Sequence, residues 1–379
     1  MSVIILFCLS FLLVEYISWH FKGEKVQKNT QIVMCFLLLF IFFGFRDLPI
    51  LNDTAHYYRH VRQLFDNTLF DNTLFDNTPW YTFDSSSNFE EGFQIFLRII
   101  GLVISKEPYS LIVITSFITT ASLLWFLNKS TSHVAFAVFV LMTSTLLLGY
   151  YSAIRQSLAV SVSYIFYWCY KNKYYKSAIM CGVVAYFFHH SSVMFILPVA
   201  LYHIPFTRRN ILLIMATAIV MSLSIYKILP LLGYGDSKYL VTGMEREAVP
   251  LAQLLDTLFI LACLLFYYIY GKKYKEEIEK DKLYVSFALS ALIVNIWALP
   301  CLPLFRFSMF FSQYAVVLFT NSLYQAEADK RLKILKYTVA VILVLRILIV
   351  LIYRNEWFHL VPYSFFDFSL EHQKTLFGY

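Results

Sequence analysis

The chain has 379 residues, of which 59% are hydrophobic and 15% charged, and its mean hydropathy is +0.63. A soluble domain keeps about a quarter of its residues charged to hold its surface in water, so this composition excludes a water-soluble globular protein. The net charge of +7 reads as basic residues gathered in the connectors of a membrane protein and not as a nucleic-acid footprint.

In chain order, apolar runs fall at roughly 3–19, 32–45, 90–105, 109–127, 134–150, 151–170, 177–188, 190–204, 210–230, 250–270, 283–303, 306–324 and 334–353. Runs of about 20 residues match the ~30 Å of bilayer hydrocarbon. The sequence therefore predicts an all-α polytopic membrane protein with about 12–13 transmembrane helices, organised as a single integral membrane domain over 1–379. The first run, "VIILFCLSFLLVEYISW", has no basic leader and no small-residue cleavage site, and reads as a span, not a removable signal. Cys8, Cys35, Cys169, Cys181, Cys263 and Cys301 all lie in apolar runs without C-x-x-C spacing. They behave as small hydrophobes, and neither a disulfide framework nor a metal site is expected.

The short connectors carry the basic residues: Lys22, Lys25 and Lys28; Lys171, Lys173 and Lys176; Arg208 and Arg209; "GKKYKEEIEKDK"; and Lys330, Arg331, Lys333 and Lys336. The positive-inside tendency places them in the cytoplasm. The N-terminus, the loops 46–89 and 231–249 and the tail 354–379 then face outward. One conflict remains. Four apolar runs separate the 46–89 loop from Lys171, and an odd number is required. Either 90–105 is interfacial or re-entrant, or two neighbouring runs form one tilted span. Residues 177–204 are read as two short helices meeting at "FHHSS".

Ionisable groups at membrane depth cost free energy unless a polar cavity or a partner receives them. In "YYSAIRQSLAVSVSYIFYWCY", Ser152, Arg155, Gln156, Ala159 and Ser163 share one helical face. Arg155 can hold a phosphate or carboxylate through paired hydrogen bonds, or snorkel to the headgroups. His189, His190, Ser191 and Ser192 interrupt an apolar run; they are either glue between helices or a proton acceptor with hydroxyl neighbours. Arg306 opens a span after Pro300 and Pro303. Arg346 lies mid-span without an assigned role. In "FRDLPILNDTAHYYRHVRQLF", Arg46 ends the second span, and Asn52 or Asp53 caps a short helix on which Asp53, Tyr57 and His60 share a face. In the charge-derived topology, Arg46, Asp53, Arg155, His189 and Arg306 all fall on the outer side, where one cavity can collect them.

The ordered series "FRD…NDTAHYY…EEGF…AIRQSLA…FHHSS…FRFS" resembles the EpsG-like branch of the Wzy-type bacterial polysaccharide polymerases, from about residue 36 to 312. Arg46, Asp53, Thr54 and Tyr57 match the end of the second span and the stretch after it, with Leu51 where the family often has Gly. "EGF" at Glu91–Phe93, "IRQSLA" at Ile154–Ala159, "FHHS" at Phe188–Ser191 and a late Arg306 match in turn, and the third of these selects His189 over His190. The resemblance implies a GT-C-like multispan glycosyltransferase, independent of metal and of any cofactor, in the bacterial inner membrane. It would polymerise undecaprenyl-pyrophosphate-linked repeat units into O-antigen or capsular/exopolysaccharide on the outer face. It further implies His189, Asp53 and Arg155 as catalytic residues, with Arg46, Tyr57, Gln156, Ser191 and Arg306 binding pyrophosphate or sugar. Flippase and chain-length proteins of the same pathway are its implied partners. An O-antigen ligase and a non-enzymatic transporter of lipid-linked sugars are the competing readings. The perfect tandem Leu-Phe-Asp-Asn-Thr from Leu64 to Thr78 lies in the outer 46–89 loop. It reads as replication slippage, with a sugar-contacting strip as the second choice.

Overall fold

The computed structural model describes residues 1–66, 89–225, 227, 251–270, 282–301, 304–325, 330–353 and 358–367. Most of the tandem repeat, Trp80 and Tyr81, the 231–249 loop, the "GKKYKEEIEKDK" connector up to residue 281 and the end of the tail lie outside those residues. The described chain is helical throughout: α1 (Ser2–Ser18), α2 (Glu24–Gly44), α3 (Thr54–Asp66), α4 (Glu91–Val103), α5 (Tyr109–Ser130), α6 (Val134–Thr143), α7 (Leu146–Ser152), α8 (Ile154–Lys171), α9 (Tyr175–Phe188), a 3-10 turn (His190–Phe195), α10 (Ile196–His203), α11 (Arg208–Leu223), α12 (Leu251–Tyr270), α13 (Lys282–Ala298), α14 (Phe305–Ser308), α15 (Ser312–Gln325) and α16 (Lys330–Tyr353). Four of these, α2, α5, α12 and α16, are long and apolar enough to cross a membrane alone, and α6 with α7, bent by 80°, passes the same test as a pair, either as a broken span or as a re-entrant loop. The protein is an all-α polytopic membrane protein.

The chain folds as two compact units, Met1–His190 with Ala340–Tyr379, and Ser191–Val339. In the first, every residue of α6 is buried, as befits a helix that is apolar all round. Helix α1 packs on α2 through Phe7 stacked on Phe42 at 3.8 Å, and α5 meets α8 through Phe126 on Tyr164 at 4.6 Å. Polar pairs tie the same helices: Gln31 of α2 donates to Ser18 at 2.9 Å, and Glu15 of α1 pairs with His133 at 2.9 Å. In the second unit α13 is the buried helix. Gln253 donates to Asn295 at 3.1 Å and Ser222 to the Ile296 carbonyl at 2.9 Å, satisfying polar groups that would be costly to leave open in apolar surroundings.

Helix breaks shape the first unit. Helix α6 ends before Thr145, whose φ of 65° is left-handed, and Arg346 of α16 donates to the Thr143 carbonyl at 3.3 Å. The mid-span arginine therefore serves a carbonyl at the buried C-terminal end of α6, where a cation also meets the negative end of the helix dipole. Helix α4 has 13 residues, about 20 Å at 1.5 Å per residue, short of the ~30 Å of hydrocarbon. By length it does not cross. Its length fits the interfacial or re-entrant alternative for 90–105.

Helix α9 ends at Phe188 because His189 leaves the helix for an extended conformation, φ −161° and ψ 120°. This is the meeting point that "FHHSS" marks. Helix α4 lies against α9 at one close point: a Cβ on Gly92 would sit 2.7 Å from the Phe187 carbonyl oxygen. That contact is backbone, so no side chain can swing aside. Gly92→Ala should push α4 away from α9 and cost about 1–3 kcal/mol, as overpacked sites do. Thermal unfolding of the purified protein in detergent checks this, and the expected result is a clear drop in midpoint.

Candidate functional site

Three ionisable side chains from separate parts of the sequence meet in the first unit. Glu90 precedes α4 with its backbone extended, φ −61° and ψ 151°. Its carbonyl accepts the Phe93 and Gln94 amides, both at 3.0 Å, which fixes the residue at the head of the helix. Its carboxylate divides between two partners. Arg155 donates from Nη1 to Oε2 at 2.5 Å, and His189 Nδ1 lies 2.6 Å from Oε1. An ionised carboxylate only accepts hydrogen bonds, so Nδ1 carries the proton and the Nε2 lone pair is left over. Burial raises the Glu90 carboxyl, but the hydrogen bond from His189 and the charge of Arg155 work against it, and the group is held below its ordinary range.

Aromatic rings complete the bed. Arg155 donates from Nε to the Tyr57 hydroxyl at 3.2 Å, and its guanidinium lies 5.1 Å above the Phe89 ring. Tyr57 stacks on Phe89 at 5.9 Å, and His60 approaches the same ring at 4.5 Å. The face of α3 expected to carry Asp53, Tyr57 and His60 therefore turns Tyr57 and His60 toward Phe89. Burial raises the Tyr57 phenol and Arg155 lowers it, with a net rise to which the Asp53 charge adds. Tyr57 stays a neutral hydroxyl at neutral pH. Arg155 and His189 keep 23% and 24% of their side chains exposed, against 8% for Glu90. A buried anion thus holds a cation and an imidazole that solvent and a ligand can reach.

Arg46 is placed differently. It is 1% exposed, and its five N–H groups have acceptors within the protein: Thr54 Oγ1 from Nε at 3.2 Å and from Nη2 at 3.1 Å, the Tyr151 carbonyl at 2.9 Å, Ser116 Oγ at 3.2 Å, and the Phe43 carbonyl. Burial lowers its guanidinium to about 10, against the opposing pull of Tyr109, Tyr363 and Tyr151, so it stays charged. The Arg46 carbonyl accepts from Tyr109 at 2.7 Å, and its backbone bridges to Phe365. Arg46 therefore ties α2, α3, α5, α7 and the 358–367 segment together, with no donor left for a pyrophosphate.

The remaining expected residues divide as follows. Asp53 sits just before the first residue of α3, in the capping position. Leu51 has a φ of 64°, the left-handed conformation that glycine adopts without cost. Its amide donates to the Phe358 carbonyl at 2.7 Å, and its side chain is fully buried. The turn that carries Asp53 thus keeps the backbone a glycine would give. Ser152 and Arg155 do not belong to one helix, because Ala153 (φ −88°, ψ 71°) separates α7 from α8; the expected five-residue stripe is broken there. Gln156 is 1% exposed and lies inside. Ser191 belongs to the second unit and is buried, its hydroxyl lacking a hydrogen bond among the described residues. Arg306, exposed on α14, also belongs to the second unit. Sequence reasoning missed Glu90 and Phe89. Glu90 shows in the sequence only as the first acid of "EEGF", which reads as a solvated helix start.

Arg46→Ala should reduce stability by roughly 1–3 kcal/mol for each buried acceptor left unpaired. Arg46→Lys should recover little, since three donors cannot serve four acceptors. Thermal unfolding in detergent checks both, and a wild-type midpoint in either variant would contradict the structural role.

No curated protein and no solved structure gave a match to the chain. The model of the EpsG family matches residues 29–365, a stretch that holds Arg46, Glu90, Gly92, Arg155 and His189. With nearly its whole length under that match, the chain belongs to the EpsG family, a Wzy-type polysaccharide-polymerase-like family.

Proposed function

We propose that this polymerase of polysaccharide biosynthesis joins undecaprenyl-pyrophosphate-linked oligosaccharide repeat units into O-antigen or capsular/exopolysaccharide, on the outer face of the bacterial inner membrane. The observation that carries this reading is the reachable Arg155 and His189 held side by side on Glu90. Transfer of a growing chain from a lipid pyrophosphate makes two demands. Negative charge grows on the pyrophosphate as the anomeric C–O bond breaks, and a cation must meet it. The acceptor sugar hydroxyl must lose a proton as its oxygen bonds the anomeric carbon, and a base must take it.

Arg155 supplies the cation. Its planar guanidinium suits two phosphate oxygens better than a lysine would. His189 supplies the base through Nε2, which receives the hydroxyl proton; the C–O electron pair leaves with the lipid pyrophosphate. Metal-independent charge neutralisation follows from this assignment. Tyr57 orients Arg155 through its hydroxyl. Asp53, at the cap of the helix that carries Tyr57, acts on the site through charge. Exposed apolar residues of the helix that Glu90 precedes, among them Ile99, Leu102 and Val103 of α4, suit lateral entry of undecaprenyl chains. Flippase and chain-length proteins would supply and limit the substrate.

Purified protein supplied with lipid-linked repeat units and no energy source should make oligomers and release undecaprenyl pyrophosphate. Arg155→Ala and His189→Ala proteins, each shown to be folded, should lose about 10²–10⁴ in rate, the range for a lost oxyanion donor or general base. Unchanged substrate with folded wild-type protein, or full activity in either variant, contradicts the proposal. Movement of intact lipid-linked units across vesicles without polymer would indicate a transporter.

A further inference from the structure

One carboxylate serves both halves of the site, which polymerisation does not by itself require. Resting on the polymerase reading, we propose that Glu90 is a positioning residue that couples donor binding at Arg155 to proton acceptance at His189.

Geometry supports this in three steps. First, Glu90 brings one negative charge and divides it, Oε2 to Arg155 at 2.5 Å and Oε1 to His189 at 2.6 Å. Second, the backbones that carry Glu90 and His189 are held in place, while the long Arg155 side chain rests on a bed of rings. Glu90 is fixed by the amides at the head of α4, and α4 is locked to α9 where Gly92 meets the Phe187 backbone. His189 follows two residues later in an extended conformation, with its amide on the Ala185 carbonyl at 2.9 Å. Arg155 lies on Phe89 and Tyr57. Third, the partners differ in what can displace them. A pyrophosphate carries more charge than a carboxylate and offers paired oxygens, so it competes for the guanidinium. It has no equivalent claim on an Nδ1–H that points at Glu90.

Donor binding therefore draws Arg155 toward the pyrophosphate and leaves the Glu90 charge facing His189 alone. A carboxylate in that position keeps the imidazole in the Nδ1–H form and stabilises the imidazolium created when Nε2 takes a proton, the logic of the carboxylate in a Ser-His-Asp triad. With no donor bound, Arg155 neutralises Glu90 and His189 is a weaker acceptor. The acceptor hydroxyl is activated only when a chain is in place to receive its attack.

The test uses full-length purified protein with ¹⁵N-labelled histidine and inorganic pyrophosphate as the probe, with the His189 signals assigned by their loss in His189→Gln. Wild-type His189 should show the Nδ1–H form, and at fixed pH the share of protonated ring should rise when pyrophosphate is added. Glu90→Gln should lose both signatures while still binding pyrophosphate. With lipid-linked substrate its kcat should fall about 10²–10⁴-fold, and its KM for donor should change far less. A His189 ring in Glu90→Gln that matches wild type with and without pyrophosphate, or an unchanged kcat, overturns the proposal. If Glu90→Gln does not fold, the wild type decides alone: bound pyrophosphate that leaves the His189 ring unaltered overturns the coupling. Failure of the two readings is distinguishable. A ring that responds in protein that makes no polymer removes the polymerase and keeps the coupling; polymer made with an indifferent ring does the reverse.

Discussion

A carboxylate that is almost wholly buried must be paired, and Glu90 is paired twice, with a guanidinium on one oxygen and an imidazole on the other. Much of the surrounding fold serves that arrangement. A buried charge left alone costs several kcal/mol, so three helices have to bring their ends to one point within tenths of an ångström. Each does so by an interruption. Helix α9 stops at His189, which turns the ring out of the helical path. Helix α8 starts afresh after Ala153, which sets the direction of Arg155. Helix α4 begins at Glu90 and, through Gly92, comes closer to α9 than any side chain permits. None of these breaks is needed to cross a membrane.

The two arginines of the first unit show how much their surroundings decide. Arg46 and Arg155 both stand at helix ends, and both are permanent cations. Arg46 is enclosed, with each N–H taken by a carbonyl or hydroxyl, and it fastens four helices to the 358–367 segment. Tyr363 stacked on Phe42 at 4.2 Å and Phe366 on Tyr109 at 3.9 Å complete that knot. Arg155 has an acidic partner and an aromatic bed but remains partly open. The first is architecture. The second is paired with an acid and still 23% exposed.

The membrane class, the helix break at "FHHSS" and the polar character of Arg155 and His189 are legible in the sequence, because each leaves a local mark: apolar run length, polar residues inside an apolar run, a cation heading a helix. Glu90 left no such mark, since an acid beside another acid at the edge of an apolar run looks like a solvated helix start. Its meaning comes from partners 65 and 99 residues away. The inclusion of Ser152 in the Arg155 face failed for a related reason. Helical periodicity assumes a continuous helix, and nothing in "YYSAIRQ" announces the break at Ala153. Arg46 was misleading in the opposite sense. A cation at the end of a span suggests a ligand, and only the tertiary arrangement shows that Thr54, Ser116 and two carbonyls already occupy it. The Leu51 turn shows a leucine holding the left-handed backbone that glycine adopts without cost, kept there by the Phe358 hydrogen bond and by burial of its side chain.

The most direct measurement is a structure of the protein with a non-transferable lipid-pyrophosphate donor bound. The expected result has the pyrophosphate oxygens within hydrogen-bond distance of Arg155 and the anomeric carbon on the side toward which His189 Nε2 points. A pyrophosphate bound elsewhere, with Arg155 still closed on Glu90, would contradict the assignment of this cluster as the reacting centre.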